Sequence, residues 1–107
     1  MPEDIFQQIQ KTVDEDSVVL FMKGTPAMPQ CGFSQATVAA LQRVGANFVA
    51  YNVLESPALR EGIKQFSNWP TIPQLYVRGE FVGGADIVLS MLENGELEKM
   101  VAGGDQA

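Results

Sequence analysis

The stretch Val18–Gln42, VVLFMKGTPAMPQCGFSQATVAALQ, decides the fold. It opens on an apolar run without alternation, Val18 to Met22, which is how a strand covered on both faces reads. It closes on residues at helical spacing, Phe33, Thr37, Ala40 and Leu41, with Val44 just beyond and Gly45 as the stop. A central strand, a loop and a helix of about three turns are therefore predicted. The chain's one cysteine, Cys31, falls at the junction between loop and helix.

Outward from this segment, Ile5, Ile9 and Val13, with Phe6 beside them, predict an amphipathic helix between Pro2 and Val13, closed by Asp14-Glu15-Asp16. Phe48 to Val53 reads as a second strand. Ser56 and Pro57 read as N-cap and first residue of a helix with Leu59, Ile63 and Phe66 on one face, ended by Asn68 and Pro70. Gln74 to Val77 and Phe81 to Val82, joined by Arg78-Gly79-Glu80, predict a hairpin that Gly83-Gly84 breaks. A last helix carries Ile87, Val88, Met91 and Leu92 and stops at Asn94-Gly95, before a short piece around Leu97, Met100 and Val101. A βαβ unit followed by a helix and a hairpin predicts an α/β fold, a four-stranded mixed sheet flanked by helices on both faces, which is the thioredoxin-like layout.

With 107 residues the chain suits one domain, expected over 1–107 with a frayed tail from about 103. It is 46% hydrophobic with a formal charge of −6. That acidity disfavours nucleic acid and anionic membranes as partners, because phosphate is repelled unless the few cations are gathered in one place. The longest apolar run is far short of the roughly 20 residues of a membrane span. The N-terminal segment carries acids where a targeting segment would carry Lys, Arg and Ser, so a cytoplasmic protein is expected, or a processed mitochondrial or plastid form. A lone cysteine makes no internal disulfide and fits a reducing compartment.

Two readings of Cys31 compete: a buried structural thiol, or a reactive one. Its position at the start of a helix decides for reactivity. There the sulfur faces the free N–H groups of Phe33 and Ser34 and the positive end of the helix, with Lys23 near the same end of the sheet, and thiolate is favoured over thiol. The fourth residue of the tetrad CGFS is Ser34, and a hydroxyl cannot resolve a mixed disulfide. A second sulfur must come from outside the chain.

Four ordered motifs, KGTP at Lys23 to Pro26, CGFS at Cys31 to Ser34, WPTIPQ at Trp69 to Gln74 and GGAD at Gly83 to Asp86, together resemble the CGFS-type monothiol glutaredoxins. The resemblance runs from the first helix to about Val101. It implies glutathione as cofactor, with Lys23 and Arg60 gripping its glycine-end carboxylate and Lys64 assisting from one turn on. It implies that Ile72, before a cis peptide bond to Pro73, pairs its backbone with the tripeptide's cysteine. It also implies that the N–H groups of Ala85 and Asp86 hold the γ-glutamyl carboxylate while the Asp86 side chain receives the ammonium, although Asp86 also reads as a simple N-cap. Relatives often carry a second cysteine where Ala85 stands; here Cys31 is left alone. Trp69 reads as a partly buried anchor for the loop that follows it, or as an exposed aromatic that meets a partner.

Two functions follow. A [2Fe-2S] cluster usually takes four thiolates, which two chains and two glutathiones supply, each chain through Cys31. The resemblance implies such a homodimer, receiving clusters from assembly proteins and delivering them to iron-sulfur acceptor proteins, with BolA-like proteins as partners. The alternative is a glutathione-dependent oxidoreductase that removes glutathione from protein thiols through Cys31.

Overall fold

The computed structural model describes residues 4–103, so the tail from Gly104 onward and the start of the first predicted helix lie outside the described residues. Helix α1 (Ile5–Glu15) begins where the Asp4 carboxylate accepts the Phe6 N–H at 3.1 Å. Strand β1 (Val18–Met22) is buried at every position, as its unbroken apolar run requires. Helix α2 (Gly32–Arg43) follows, then β2 (Val49–Asn52) and a 3-10 turn, Val53–Glu55. Helix α3 (Pro57–Ser67) carries proline in its first turn, with the Ser56 hydroxyl accepting the Leu59 N–H at 3.1 Å and Asn68 closing it in the left-handed conformation. Strands β3 (Gln74–Val77) and β4 (Glu80–Gly83) precede α4 (Ala85–Asn94) and α5 (Glu96–Gly103).

The sheet runs β2-β1-β3-β4, with β1 and β2 parallel and the remaining pairs antiparallel. Alternate side chains of β1 divide between two cores. Val18, Leu20 and Met22 join Leu75, Val77, Leu41, Val88 and Leu97 under α2, α4 and α5. Val19 and Phe21 join Tyr76, Ile9, Val13 and Ile63 under α1 and α3. Each fully buried Val, Leu, Phe or Met contributes roughly 1.5–3 kcal/mol, so both helical layers are held by the same short strand. The thioredoxin-like layout is the one expected.

Two boundaries and one helix face differ from the sequence reading. β2 is shorter than Phe48 to Val53, because the Asn52 side chain accepts the Leu54 N–H at 2.9 Å and turns the chain into the 3-10 segment. The hairpin turn is Arg78-Gly79 alone, with φ of 50° and 82°, so Glu80 belongs to β4. The buried face of α2 is Ser34, Thr37, Val38 and Leu41, whereas Phe33 is 64% exposed. Phe33, in the first turn of α2, lines a groove instead of the core.

Candidate functional site

Beyond β1 the chain makes a closed loop that sets down Cys31. The Lys23 carbonyl accepts the Gln30 N–H at 2.9 Å, and Thr25 and Met28 exchange backbone hydrogen bonds at 3.2 and 3.0 Å. Gly24 sits at φ 93°, where a Cβ would lie 2.5 Å from the Met28 carbonyl oxygen and 2.6 Å from the Gln30 nitrogen. Its N–H donates to Asn52 Oδ1 at 2.9 Å, the same atom that receives Leu54. One side chain on β2 thereby fixes the loop that leaves β1.

Cys31 is the N-cap of α2, extended at φ −152° and ψ 136°, and its carbonyl accepts the Gln35 N–H at 2.9 Å. The amides of Gly32, Phe33 and Ser34 have no helical carbonyl to reach. As a neutral thiol the side chain makes no capping hydrogen bond, and these donors favour its ionised form instead. The Cys31 thiol is drawn below its ordinary pKa, chiefly by the Ser34 N–H, against the opposing effect of burial. The Phe33 N–H, the Lys23 ammonium and the Ser34 hydroxyl add to the same downward pull. Ser34 is fully buried, and its oxygen accepts the Lys23 N–H at 3.1 Å.

The opposite wall is built by residues 69–73 and 84–87. The Ile72-Pro73 bond is cis, as expected, and Ile72 is buried with only 5% exposure. Trp69 is half-exposed and packs on Phe81 with ring centroids 5.9 Å apart, so it anchors the turn and also lines the groove. Gly84 leaves room for that indole: a Cβ there would stand 3.2 Å from Nε1 and 3.3 Å from the Pro73 carbonyl oxygen. Gly84, not Asp86, is the N-cap of α4; Ala85 and Asp86 occupy its first turn, where amides are free and anions are favoured. Ile87, read as a core residue of α4, is exposed at the groove, while Val88 and Met91 take the buried face.

The two walls enclose a groove of ≈ 480 Å³, a size suited to a small ligand. Of the residues expected at a site, it brings together Lys23, Cys31, Lys64, Ile72, Ala85 and Asp86. It leaves Arg60 out. Lys64 stands four residues, about 6 Å, further along α3 toward the end where residues 69–73 begin, and it lines the groove where Arg60 does not. Besides Cys31, the ionisable side chains lining the groove are two lysines and one aspartate, so cations gather here on a chain of net charge −6. Among the described residues no three His, Cys, Asp or Glu side chains gather as a metal site. Sequence reasoning missed three polar clamps, the buried side chains of Ser34 and Gln74 and the partly buried one of Asn52, and the groove-lining role of Phe33 and Ile87.

Residues 18–82 match the family model Glutaredoxin. Over 102 residues the chain is 57% identical to "Monothiol glutaredoxin-5, mitochondrial" of Lachancea kluyveri, spanning 92% of this chain and 71% of that one. It is 56% identical over 93 residues to "Probable monothiol glutaredoxin 2" of Rickettsia typhi, spanning 87% and 84%. The solution structure of reduced poplar apo GrxS14 superposes with a TM-score of 0.81 at 46% identity, over 94% of this chain and 93% of that one.

Proposed function

The chain belongs to the glutaredoxin family, among its monothiol members, and from that premise we propose that it binds glutathione in the groove beside Cys31 and carries a [2Fe-2S] cluster as a homodimer. The observation that carries this reading is the meeting, in one groove, of a sole cysteine favoured as thiolate with two ammonium groups and the free amides of a helix start. Glutathione has two carboxylates, one ammonium and one thiol. The residues present fit it: Lys23 and Lys64 for a carboxylate, the Ala85 and Asp86 amides for the other, the Asp86 carboxylate for the ammonium. The backbone before Pro73 offers Ile72 to the middle of the tripeptide, and Arg60, which does not line the groove, is a secondary cation one helical turn from Lys64 on α3.

When bound, glutathione supplies the second sulfur that the chain lacks. Two protomers then offer two Cys31 thiolates and two glutathione thiolates to the cluster, which is the cargo. The role of Cys31 is to be ionised before the cluster arrives, because the thiolate is the ligand form. Assembly proteins would load the dimer, and iron-sulfur acceptors, with BolA-like proteins among the partners, would unload it. The compartment proposed is a reducing one, mitochondrial or bacterial; among the described residues no helix is long and apolar enough to cross a membrane.

A second reading draws on the same lowered thiol pKa and the partial exposure of Cys31. The Cys31 thiolate would attack the glutathione sulfur of a glutathionylated protein, releasing the protein thiolate and leaving Cys31 glutathionylated. A second glutathione thiolate would then attack that disulfide, giving glutathione disulfide and restoring the Cys31 thiolate.

Anaerobic reconstitution with iron, sulfide and glutathione separates the two. Carriage predicts a coloured dimer that fails to form when glutathione is withheld or when Cys31→Ser is introduced. A colourless monomer with rapid glutathione-disulfide exchange would put the oxidoreductase first.

A further inference from the structure

Gln74 lies at the start of β3, behind the groove wall, with no exposed surface. Its Nε2 donates to the Trp69 carbonyl at 3.1 Å and to the Thr71 carbonyl at 3.2 Å. Its Oε1 accepts the Tyr76 hydroxyl at 3.2 Å. The orientation of the amide is fixed by chemistry, since the two carbonyls can only accept and the nitrogen must face them. Tyr76 is itself buried, and burial pushes its phenol up to about 12, so the hydroxyl keeps its proton and remains a donor. Both hydrogens of one primary amide are therefore spent on two carbonyls of the turn that carries Trp69, Thr71 and Ile72.

We infer that Gln74 is a positioning residue for the ligand groove, holding the turn of residues 69–73 from inside so that its outer edge faces Cys31. The chemistry restricts the position narrowly. Glutamate lacks both donors in its ionised form, asparagine is one methylene short, and an apolar residue leaves two inward-facing carbonyls without a partner. Nothing in the hydrogen bonds of Gln74 touches Cys31, whose surroundings come from α2 and Lys23. The two walls of the groove are thus fixed independently, one by Ser34 and Asn52, the other by Gln74.

The test uses Gln74→Met, near in size and without polar atoms, beside Met91→Ala in the other core as a control for lost stability. Trp69 is the single tryptophan of the chain, so its fluorescence reads this turn alone. In the folded baseline, Gln74→Met is expected to raise acrylamide quenching of Trp69 at least roughly twofold and to weaken glutathione binding at least about tenfold by calorimetry. The pH profile of Cys31 alkylation should stay where it is in the parent protein. The affinity arm rests on the glutathione reading. If the parent protein does not bind glutathione, that reading fails, and Trp69 quenching alone decides the role of Gln74. Quenching and affinity equal to those of Met91→Ala would overturn the inference, as would an alkylation profile displaced together with them. Should Gln74→Met not fold, Tyr76→Phe, which removes only the hydroxyl that holds Oε1, must move Trp69 quenching in the same direction, and an unchanged value would be equally decisive against it.

Discussion

The hydroxyl oxygen of Ser34 accepts the backbone N–H of Lys23 at 3.1 Å, fastening the first turn of α2 to the residue that leaves β1. Ser34 is fully buried, so this is the join between the two elements that present the thiol. Its removal by Ser34→Ala leaves a part-buried backbone donor without its acceptor. A loss of roughly 1–3 kcal/mol is expected in urea unfolding, together with a rise in the Cys31 pKa. A variant as stable as the parent would show that water replaces the hydroxyl without penalty.

The pH dependence of Cys31 has a definite sign. Its folded pKa is lowered, so between that value and the unfolded thiol value of about 8.5 the unfolded chain binds more protons. The stability this group contributes is complete above that range and declines as pH falls through the folded pKa. Alkylation rate against pH measures the midpoint directly. Lys23→Gln should move it upward only part of the way to the ordinary value, because the amides of Ser34 and Phe33 remain; a return to the full value would make the lysine the dominant cause.

Lys64 and Arg60 lie one helical turn apart on α3, yet only Lys64 lines the groove. Lys64→Gln should weaken glutathione binding several-fold, on the order of 1 kcal/mol for a partly exposed charge-assisted contact, and Arg60→Gln should weaken it less. Calorimetry on the two variants ranks them, and the reverse order would mean that the longer arginine swings into the groove when ligand enters.

Gly24 combines a φ of 93° with backbone atoms 2.5 and 2.6 Å from where a Cβ would stand. Gly24→Ala is expected to destabilise the protein by roughly 2–4 kcal/mol, since neither the conformation nor the neighbouring carbonyl can yield cheaply. Denaturant midpoints at constant slope check this. A loss below that of an ordinary surface substitution would show that the loop has another arrangement of similar energy.

By itself the sequence determined the element order, the covered central strand, the helix caps at Ser56 and Asn68, and the placement of Cys31 at a helix start, because periodicity and capping are local and are written in neighbouring residues. It also carried the family, through four short motifs in order. What only the tertiary structure decided is which residues of those motifs meet. Phe33 and Ile87 sit at helical positions that suit a core, and periodicity cannot tell a core from a groove that an adjacent turn leaves open. Arg60 and Lys64 share a helix face, and the choice between them depends on where the 69–73 turn crosses the end of α3. Asn52 and Gln74 read as ordinary strand residues, since the carbonyls and amides they satisfy belong to loops brought beside them only when the sheet closes, and a polar side chain declares such a partner only once the chain has folded around it.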